Sequence, residues 1–255
     1  MAQPTYTTRA IVLRKTKLGE ADLILTLLAQ DGSQLRTVAK GARKPGSPFA
    51  SRLELYAVAD LLCSKGRSLD IVKEARLAEG NERLRRNIEH AAAAAPMAEL
   101  ASRVTQADLE NPKLFACTRA AFATLDALDA EAAPGICAAH LLKTFAFSGF
   151  RPSLHACAVC GAPIDAPSQG DLPFSYGEGG LVCSHCRGHT ATVHLPARIV
   201  GWMRYLMGAT FAEASTCGMD ADAAFSVLTV CQQGTREHVG ANLKSLEFLF
   251  TCGLF

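Results

Sequence analysis

The sequence has few aromatic residues and no long apolar run. Phenylalanine, tryptophan and tyrosine make up 7% of its 255 residues, and tryptophan occurs once. The alanine run at 91–95 follows Glu89 and His90 and falls well short of the roughly 18 apolar residues expected of a membrane helix. We therefore expect no membrane association. The scarcity of aromatic rings also leaves little capacity for stacking on nucleic-acid bases.

Motifs of the common catalytic sites are missing as well. The chain contains no G-x-S-x-G nucleophile elbow, no H-E-x-x-H zinc-protease motif and no H-x-E of the zinc deaminases. Aspartate and glutamate do not cluster within any basic region. These absences predict a binding protein that is not an enzyme. A metalloenzyme, the alternative, would need a metal site with an open coordination position.

Cysteine is plentiful by contrast, and four of the ten cysteines form two Cys-x-x-Cys pairs. The pairs are Cys157 with Cys160 and Cys183 with Cys186, and 22 residues separate them. Four thiolates can surround one Zn²⁺ tetrahedrally, and a two-residue spacer lets both sulfur atoms of a pair reach the same ion. The pattern predicts one structural Zn²⁺ held by these four residues. Two disulfides, or unrelated buried thiols, are the alternative.

The other six cysteines are scattered singly among apolar residues, as expected of reduced, buried thiols. They are Cys63, Cys117, Cys137, Cys217, Cys231 and Cys252. A disulfide-bonded secreted domain would carry its cysteines at higher density in a shorter chain. Met1–Pro4 is followed by a strand-like segment rather than by the apolar stretch of a signal peptide. The sequence therefore predicts a cytoplasmic protein.

Positive charge is concentrated at the N-terminus. Residues 1–80 carry 13 Lys and Arg against 8 Asp and Glu, a net charge of +5. Residues 81–150 carry 7 against 8, or −1, and residues 151–255 carry 6 against 8, or −2, which gives the total of +2. Such asymmetry indicates that the N-terminal segment binds a polyanion.

The residue pattern of the first eighty positions is typical of β-strands. Asp31-Gly32, between two apolar runs, is a strong hairpin signal because type I′ turns need positive φ at their centre. Five antiparallel strands in about 75 residues fit a small Greek-key barrel of the OB-fold type. An open sheet packed on a helix is the alternative. The predicted strands are Thr8–Arg14, Asp22–Ala29, Ser33–Ala39, Leu53–Ser64 and Ser68–Leu77.

A basic loop connects the third and fourth predicted strands. From Arg36 to Arg52 there are five basic residues and no acidic one, and glycines and prolines predict an exposed, turn-rich segment. We interpret the segment as a DNA-binding loop that contacts the sugar-phosphate backbone, with a solvated surface loop as the alternative. The predicted DNA-binding residues are Arg36, Lys40, Arg43, Lys44 and Arg52, with a weaker second cluster of Arg14, Lys15 and Lys17.

Apolar residues recur at helical spacing after residue 80. Asn81 is a candidate cap for a helix through Ala95, Pro96 suits the first turn of the next helix, and Pro112 repeats that kind of start. Further helices are predicted at Lys113–Leu128, Ile136–Ser148, Pro196–Met207 and Ala221–Gly234. The sequence thus predicts an OB-fold DNA-binding domain (1–80), an α-helical domain (81–149 and 193–255) and a zinc-binding module (150–192) inserted into the helical domain.

Several short motifs, taken in order, resemble the RecO family of bacterial DNA repair proteins. They are Arg9–Arg14, Gly19–Asp22 and Val38–Lys44 near the N-terminus, Phe147–Pro152 before the first cysteine pair, and Gly179–Cys183 at the second. The likeness extends over nearly the whole chain, and the ordered combination makes it specific. The resemblance implies an α+β multidomain protein with the same three parts.

The resemblance also implies a recombination mediator in the bacterial DNA damage response. Such proteins bind single- and double-stranded DNA, anneal complementary strands and help to load recombinase onto strands coated by single-stranded DNA-binding protein (SSB). The implied partners are RecR, the acidic C-terminal tail of SSB and, for part of the family, RecF. The implied location is the bacterial cytoplasm, in association with the nucleoid.

The resemblance supports the predicted DNA-binding residues more directly than the predicted zinc ligands. Lys40, Arg43 and Lys44 match the family's DNA-binding loop, with Arg36 and Arg52 as neighbours. The four cysteines are not kept by all members of the family, so the zinc prediction follows from their spacing rather than from kinship. A zinc-ribbon transcription factor or an RNA-binding factor is the alternative interpretation of the whole chain.

Overall fold

A computed structural model describes residues 4–165 and 169–255. The chain divides into two compact units, Met1–Ala127 and Leu128–Phe255. The first unit contains the predicted N-terminal strands together with three helices, and the second contains both cysteine pairs and further helices. The finer division into three domains stays a prediction. Within the described ranges, no helix combines the length and the apolar character that a membrane span requires.

Five strands of the first unit close into a barrel. Their order is β1-β2-β3-β5-β4, and β4 pairs again with β1. Neighbouring strands are antiparallel except for β3 and β5, which run parallel over a short stretch. This OB-type barrel confirms the predicted fold over the open sheet. The strands are β1 (Thr5–Leu18), β2 (Asp22–Ala29), β3 (Gln34–Ala39), β4 (Val58–Ser64) and β5 (Asp70–Glu79).

Alternating apolar side chains fill the interior of the barrel. Ala10 and Val12 of β1 lie there with Leu25 and Leu27 of β2. Because successive side chains of a strand point to opposite faces, the residues between them lie on the outer wall. A register shift between Val12 and Arg14 introduces a β-bulge. The bulge reverses the alternation along the second half of β1.

The β2–β3 hairpin forms where Asp31-Gly32 predicts it, but its turn differs from the expected type. Gly32 has φ of +86°, and its N–H donates to the carbonyl oxygen of Ala29 at 2.8 Å. Asp31 does not adopt positive φ, whereas a type I′ turn requires positive φ at both central residues. Because the N–H of Ala29 donates to the carbonyl oxygen of Ser33 at 2.9 Å, these two residues close the hairpin, and residues 30–32 form a three-residue loop with glycine in the left-handed position.

Three helices complete the first unit, and the cap of the longest one differs from the prediction. Asn87 caps it, since its side-chain oxygen accepts a hydrogen bond from the backbone N–H of His90 at 3.0 Å. Asn81 has φ of +46° instead, and its side-chain amide donates to the carbonyl oxygen of Tyr56. The helices are α1 (Arg83–Arg86), α2 (Ile88–Val104) and α3 (Pro112–Ala127).

Proline has two different positions in these helices. Pro112 occupies the first turn of α3, as predicted. Pro96 lies in the interior of α2 and does not begin a new helix. A proline there removes one backbone hydrogen bond, but α2 packs on β1, β2 and α3. Burial of its alanine-rich faces outweighs that loss, so the helix continues through the proline.

The second unit combines helices with a small sheet. The sheet order is β7-β6-β8, with both pairs antiparallel. Helix α4 is buried on most of its surface and packs against α5, α6 and α7. The strands are β6 (Asp171–Ser175), β7 (Gly180–Leu181) and β8 (Val193–Pro196), and the helices are α4 (Ala133–Phe147), α5 (Ala197–Gly208), α6 (Phe211–Thr216), α7 (Ala221–Val239) and α8 (Lys244–Thr251).

Candidate metal centre and nucleic-acid interface

The two Cys-x-x-Cys pairs meet at one point in the second unit. The four Sγ atoms all lie within 4.8 Å of one another, and those of Cys160 and Cys183 are 3.8 Å apart. Four Zn–S bonds of about 2.3 Å in a tetrahedron place the sulfur atoms about 3.8 Å from each other. None of the four forms a disulfide. Cys157, Cys160, Cys183 and Cys186 therefore fit a tetrahedral ion such as Zn²⁺.

Backbone turns aim these sulfur atoms at a common centre. The N–H of Gly161 donates to the carbonyl oxygen of Cys157 at 2.9 Å, and Gly161 has φ of +73°, which glycine adopts without strain. At the second pair, the N–H of Cys186 donates to the carbonyl oxygen of Cys183 at 3.1 Å. The N–H of Cys183 also donates to the Sγ of Cys157 at 3.4 Å. The fold itself thus joins the two turns.

Two of these thiols have pKa values that are shifted in opposite directions. Burial disfavours the thiolate of Cys157, but hydrogen bonds from the backbone of Cys183, Cys160 and Val159 lower its pKa to about 6. Burial and the neighbouring sulfur atoms raise the pKa of Cys186 to about 12. Four thiolates this close repel one another, and a divalent cation removes that repulsion and allows all four to ionise.

The basic loop of the first unit is fastened to the turn between β1 and β2. The backbone N–H of Arg43 donates to the carbonyl oxygen of Ala21 at 2.9 Å, and its Nη1 donates to that of Gly19 at 3.0 Å. The carboxylate of Asp22 accepts a hydrogen bond from the N–H of Gly41 at 2.7 Å. These bonds fix the backbone and leave cationic side chains exposed. The exposed cations are Lys40, Arg43 and Lys44.

Two arginines face solvent on the wall formed by β1, β2 and β3. Arg14 pairs with Thr26 across the strands, and Thr26 pairs with Arg36. Directly opposed residues share one face of a sheet, so the three form a row. The neighbours of Thr26 in β2 point into the barrel, which places the row on the outside. The β-bulge turns Arg14 outward, because unbroken alternation from Val12 would turn it inward.

The remaining predicted cations have different surroundings. The Nζ of Lys15 forms an ion pair with the Oε2 of Glu54 at 2.9 Å, so a phosphate would compete with a carboxylate there. Lys17 is exposed. The Nη1 of Arg52 donates to the carbonyl oxygen of Ala75 at 3.1 Å, and this arginine lines a cleft on another wall of the barrel. DNA binding by the eight predicted residues stays a prediction.

Sequence reasoning missed further cations on the barrel, namely Arg9, Lys73 and Arg76. Arg9 pairs across strands with Asp60, and Asp60 pairs with Arg76, which gives a row across β1, β4 and β5. The Nε and Nη2 of Arg9 donate to the two carboxylate oxygens of Asp60 at 2.7 and 3.0 Å. These bonds hold the pKa of Asp60 below its usual range. Exposed and buried residues do not alternate strictly along β5, because its pairing with β4 shifts register between Leu62 and Cys63, so a period of two in the sequence could not have located Lys73 and Arg76.

Comparison with known protein families matches both units of the chain. Residues 1–81 match the family profile described as "Recombination protein O N terminal", and residues 85–247 match the one described as "Recombination protein O C terminal". The chain belongs to the RecO family. Both cysteine pairs lie within the C-terminal match, and all five strands of the closed barrel lie within the N-terminal match.

Individual relatives give the same result. "DNA repair protein RecO" of Roseiflexus sp. (strain RS-1) is 36% identical over 209 residues, which cover 81% of this chain and 71% of the relative. The RecO protein of Cutibacterium acnes is 34% identical over 209 residues, covering 80% and 82%. That of Dehalococcoides mccartyi (strain BAV1) is 30% identical over 209 residues, covering 82% and 80%. The predicted family is confirmed.

Proposed function

We propose that this RecO family protein is a non-enzymatic recombination mediator. It binds single- and double-stranded DNA, anneals complementary strands and helps to load recombinase onto SSB-coated single strands. The observation that carries the proposal is the set of exposed cations on a closed OB-type barrel, on the basic loop and on the row that contains Arg14 and Arg36. Such a surface suits contact with phosphates rather than with base edges.

The physical basis of annealing is the neutralisation of charge. Two strands repel through their phosphates, and a cationic surface lowers that repulsion while base pairing supplies the choice of sequence. If each of the five cations between Arg36 and Arg52 neutralises one phosphate of a single strand, log K falls with log salt at a slope of about −3.5. That slope corresponds to about a hundredfold loss of affinity when the salt concentration rises fourfold.

The metal has a structural part in this proposal. Cys157, Cys160, Cys183 and Cys186 would hold Zn²⁺ through four thiolates, and Zn²⁺ bound in this way supplies folding free energy to the segment that carries its ligands. The four sulfur ligands leave no coordination position for water, so no catalytic role is assigned to the ion. The cysteine module therefore stabilises the fold of the second unit and takes no part in a reaction on DNA.

The proposed protein partners follow from membership of the RecO family. They are RecR and the acidic C-terminal tail of SSB, with RecF as a partner for part of the family, and the proposed location is the bacterial cytoplasm in association with the nucleoid. The DNA-binding surface proposed here comprises Arg36, Lys40, Arg43, Lys44 and Arg52 with Arg14, Lys15 and Lys17. Among these, Lys15 contributes least, because Glu54 already neutralises it.

Annealing of SSB-coated strands tests the proposal. Complementary strands, one labelled with a donor and the other with an acceptor fluorophore, are coated with full-length SSB or with SSB that lacks its acidic tail. We expect the protein to accelerate annealing on full-length SSB and to lose that effect on the tail-less form, with a matching result in a pull-down. Preference for one duplex sequence, with no annealing, would favour a transcription factor instead.

A further inference from the structure

An open cleft of about 970 Å³ lies on the barrel wall formed by β1, β4 and β5. The row Arg9–Asp60–Arg76 crosses this wall, and the loop segment that contains Phe49 and Arg52 borders the cleft. Four cations and two carboxylates line it, which leaves a net charge of +2. These charged residues are Arg9, Arg52, Lys73, Arg76, Asp60 and Glu74.

The charged residues of this cleft are not equally available to a ligand. The bidentate contact with Arg9 engages both carboxylate oxygens of Asp60, so Glu74 is the remaining carboxylate of the lining. Across residues 4–165 and 169–255, neither Lys73 nor Arg76 takes part in an ion pair. Both are exposed on β5. Asp60 lies opposite Arg76 across the strands, but Arg9 already engages its carboxylate, so it competes only weakly with a phosphate for Arg76.

Apart from Arg52, which belongs to the basic loop and also lines the cleft, the cleft shares no residue with the proposed DNA-binding surface. The row Arg14–Thr26–Arg36 spans β1, β2 and β3, whereas the row Arg9–Asp60–Arg76 spans β1, β4 and β5. The two rows therefore lie on opposite sides of β1 in the barrel order. Pro48 and Phe49 add apolar surface to the border of the cleft, as a bound sugar or base requires.

We propose that this cleft binds a second nucleic-acid strand while the β1–β2–β3 wall and the basic loop hold the first. The inference rests on the proposed function, because annealing requires that two polyanionic strands approach each other. Two cationic walls on one barrel lower the repulsion between the strands without base recognition. An acidic protein segment is the competing occupant, and because Asp60 and Glu74 would repel either polyanion, it is the apolar border of Pro48 and Phe49 that favours a nucleotide.

Binding of two strands that cannot pair tests the inference directly. Two preparations of the same oligo(dT), one carrying a donor and the other an acceptor fluorophore, are mixed with the protein, and energy transfer reports two strands on one particle. Sedimentation in the same buffer gives the number of protein chains in that particle. We expect two strands per protein chain, with the second bound at a lower affinity than the first.

The double variant Lys73→Ala/Arg76→Ala removes two of the three cleft cations that form no ion pair within the described residues, and it leaves Arg52 of the basic loop unchanged. We expect its first-strand affinity to stay within about twofold of that of the wild type, and its second-strand affinity to fall about tenfold or more. The slope of log K against log salt for the second strand should become shallower by about 1.4, the value for two phosphate contacts on a single strand. Annealing of complementary strands should slow in parallel.

Two further variants test the same cleft: one should tighten second-strand binding, and the other should leave it unchanged. Glu74→Gln removes a carboxylate from the cleft without breaking an ion pair, so it should tighten second-strand binding and steepen the salt slope. Lys113→Ala/Arg86→Ala removes two exposed cations from helices of the same unit, away from the cleft lining. It should leave the affinities for the first and the second strand unchanged. This pair matches the double variant in charge and therefore controls for a general loss of positive charge.

The outcomes separate this inference from the proposed function. A wild-type protein that binds one strand per chain and still anneals would overturn the second site while leaving the proposed function intact. Unchanged second-strand affinity in Lys73→Ala/Arg76→Ala would overturn it as well. Poly-glutamate serves as the probe for an acidic protein segment. If Lys73→Ala/Arg76→Ala loses poly-glutamate binding while its DNA binding is unaltered, the cleft binds an acidic protein segment and not a second strand. A wild-type protein that binds no strand at all would refute the proposed function itself.

Discussion

Arg204 of α5 holds the carbonyl oxygen of Leu154, three residues before the first cysteine of the metal centre. Its Nε donates to that oxygen at 2.9 Å, and its Nη2 donates both to the same oxygen and to the carbonyl oxygen of Ile164, the latter at 3.2 Å. One guanidinium therefore fixes both ends of the segment that carries Cys157 and Cys160. Arg204 positions this segment on α5 and does not itself contact the sulfur atoms.

Replacement of Arg204 by leucine should loosen this segment without removing a metal ligand. A hydrogen bond from a charged donor contributes about 2 kcal/mol, and the variant leaves two carbonyl oxygens without it. We expect the free energy of unfolding to fall by about that amount and a chelator to extract zinc faster. The exposed Arg151, changed to leucine, is the matched control. Equal zinc-release rates for the two variants would contradict the role of Arg204.

Cys157→Ser should abolish stoichiometric zinc binding. The hydroxyl of serine does not ionise near neutral pH, so the tetrahedral set loses one anionic ligand. We expect one zinc per chain in the wild type and far less in the variant, measured by elemental analysis of the purified proteins, together with a lower melting temperature. Cys252→Ser, at a half-buried cysteine outside the cluster, should keep both values. Full zinc content in Cys157→Ser would refute the four-thiolate site.

Local sequence patterns predicted the barrel and the cysteine cluster because each depends on short-range spacing. Short runs of β-branched and apolar residues between turn signals indicate the strands, and Cys-x-x-Cys places two sulfur atoms at one ion whatever the surrounding fold. The cap of α2 was misassigned because Asn81 and Asn87 have the same capping chemistry. Their difference lies in a tertiary hydrogen bond, from Asn81 to Tyr56, that no local pattern encodes.

The electrostatic surface was predicted less completely, for the same reason. The bulge that turns Arg14 outward appears only in the pairing of β1 with β2. The carboxylate that neutralises Lys15 is 39 residues away along the chain, at Glu54. The cleft on the opposite side of β1 gathers Lys73 and Arg76 from a strand that carries no obvious basic run. Counting charges along the sequence therefore located the basic part of the chain, but it did not separate the β1–β2–β3 wall from the β1–β4–β5 wall.

The triple variant Lys40→Ala/Arg43→Ala/Lys44→Ala should weaken DNA binding without unfolding the protein. The three side chains are exposed, and the backbone hydrogen bonds that fasten the loop remain. We expect the slope of log K against log salt for a single strand to become shallower by about 2, for three lost phosphate contacts. Fluorescence anisotropy in a salt series measures it, with Lys15→Ala as the comparison. An unchanged slope would remove this loop from the interface.

Asp60→Asn should reduce the acid sensitivity of the first unit. The hydrogen bonds from Arg9 lower the pKa of Asp60, so the folded state binds this proton less readily than the unfolded state. The carboxylate therefore stabilises the fold above its unfolded-state pKa of about 3.9, and this contribution is lost as the pH falls through the lower folded-state value.

The size of that effect is small because the ion pair is exposed to solvent. The side chains of Arg9 and Asp60 are 37% and 45% exposed, and water screens the attraction between such groups, so the pair contributes little to stability. Urea unfolding at a series of pH values should show Asp60→Asn slightly less stable at pH 7 and closer to the wild type below pH 3. Glu20→Gln, an exposed carboxylate in the β1–β2 turn, is the control. A stability difference for Asp60→Asn that is the same at every pH would contradict the assignment.

Gly32→Ala should destabilise the first unit more than a glycine substitution in an open loop. Gly32 has φ of +86°, and a Cβ atom there would lie 1.9 Å from the carbonyl oxygen of Asn111. That oxygen belongs to the backbone, and the N–H of Asn111 donates to the carbonyl oxygen of Asp31 at 2.7 Å, so the two segments cannot separate without losing this bond. We expect a loss of about 3 kcal/mol or more, from backbone strain and the forced shift together.

Gly46→Ala measures the cost of positive φ for alanine without a steric clash of the added Cβ atom. Gly46 also has positive φ, +71°, but no heavy atom outside its neighbours lies within 4 Å of the added Cβ. Its cost should be about 1 kcal/mol, the value for a left-handed alanine. Urea denaturation of both variants measures the difference, which reports the close approach of the β2–β3 hairpin to the start of α3. Equal destabilisation by the two substitutions would mean that the β2–β3 hairpin and the start of α3 move apart at no cost, and that backbone strain alone accounts for the loss of stability.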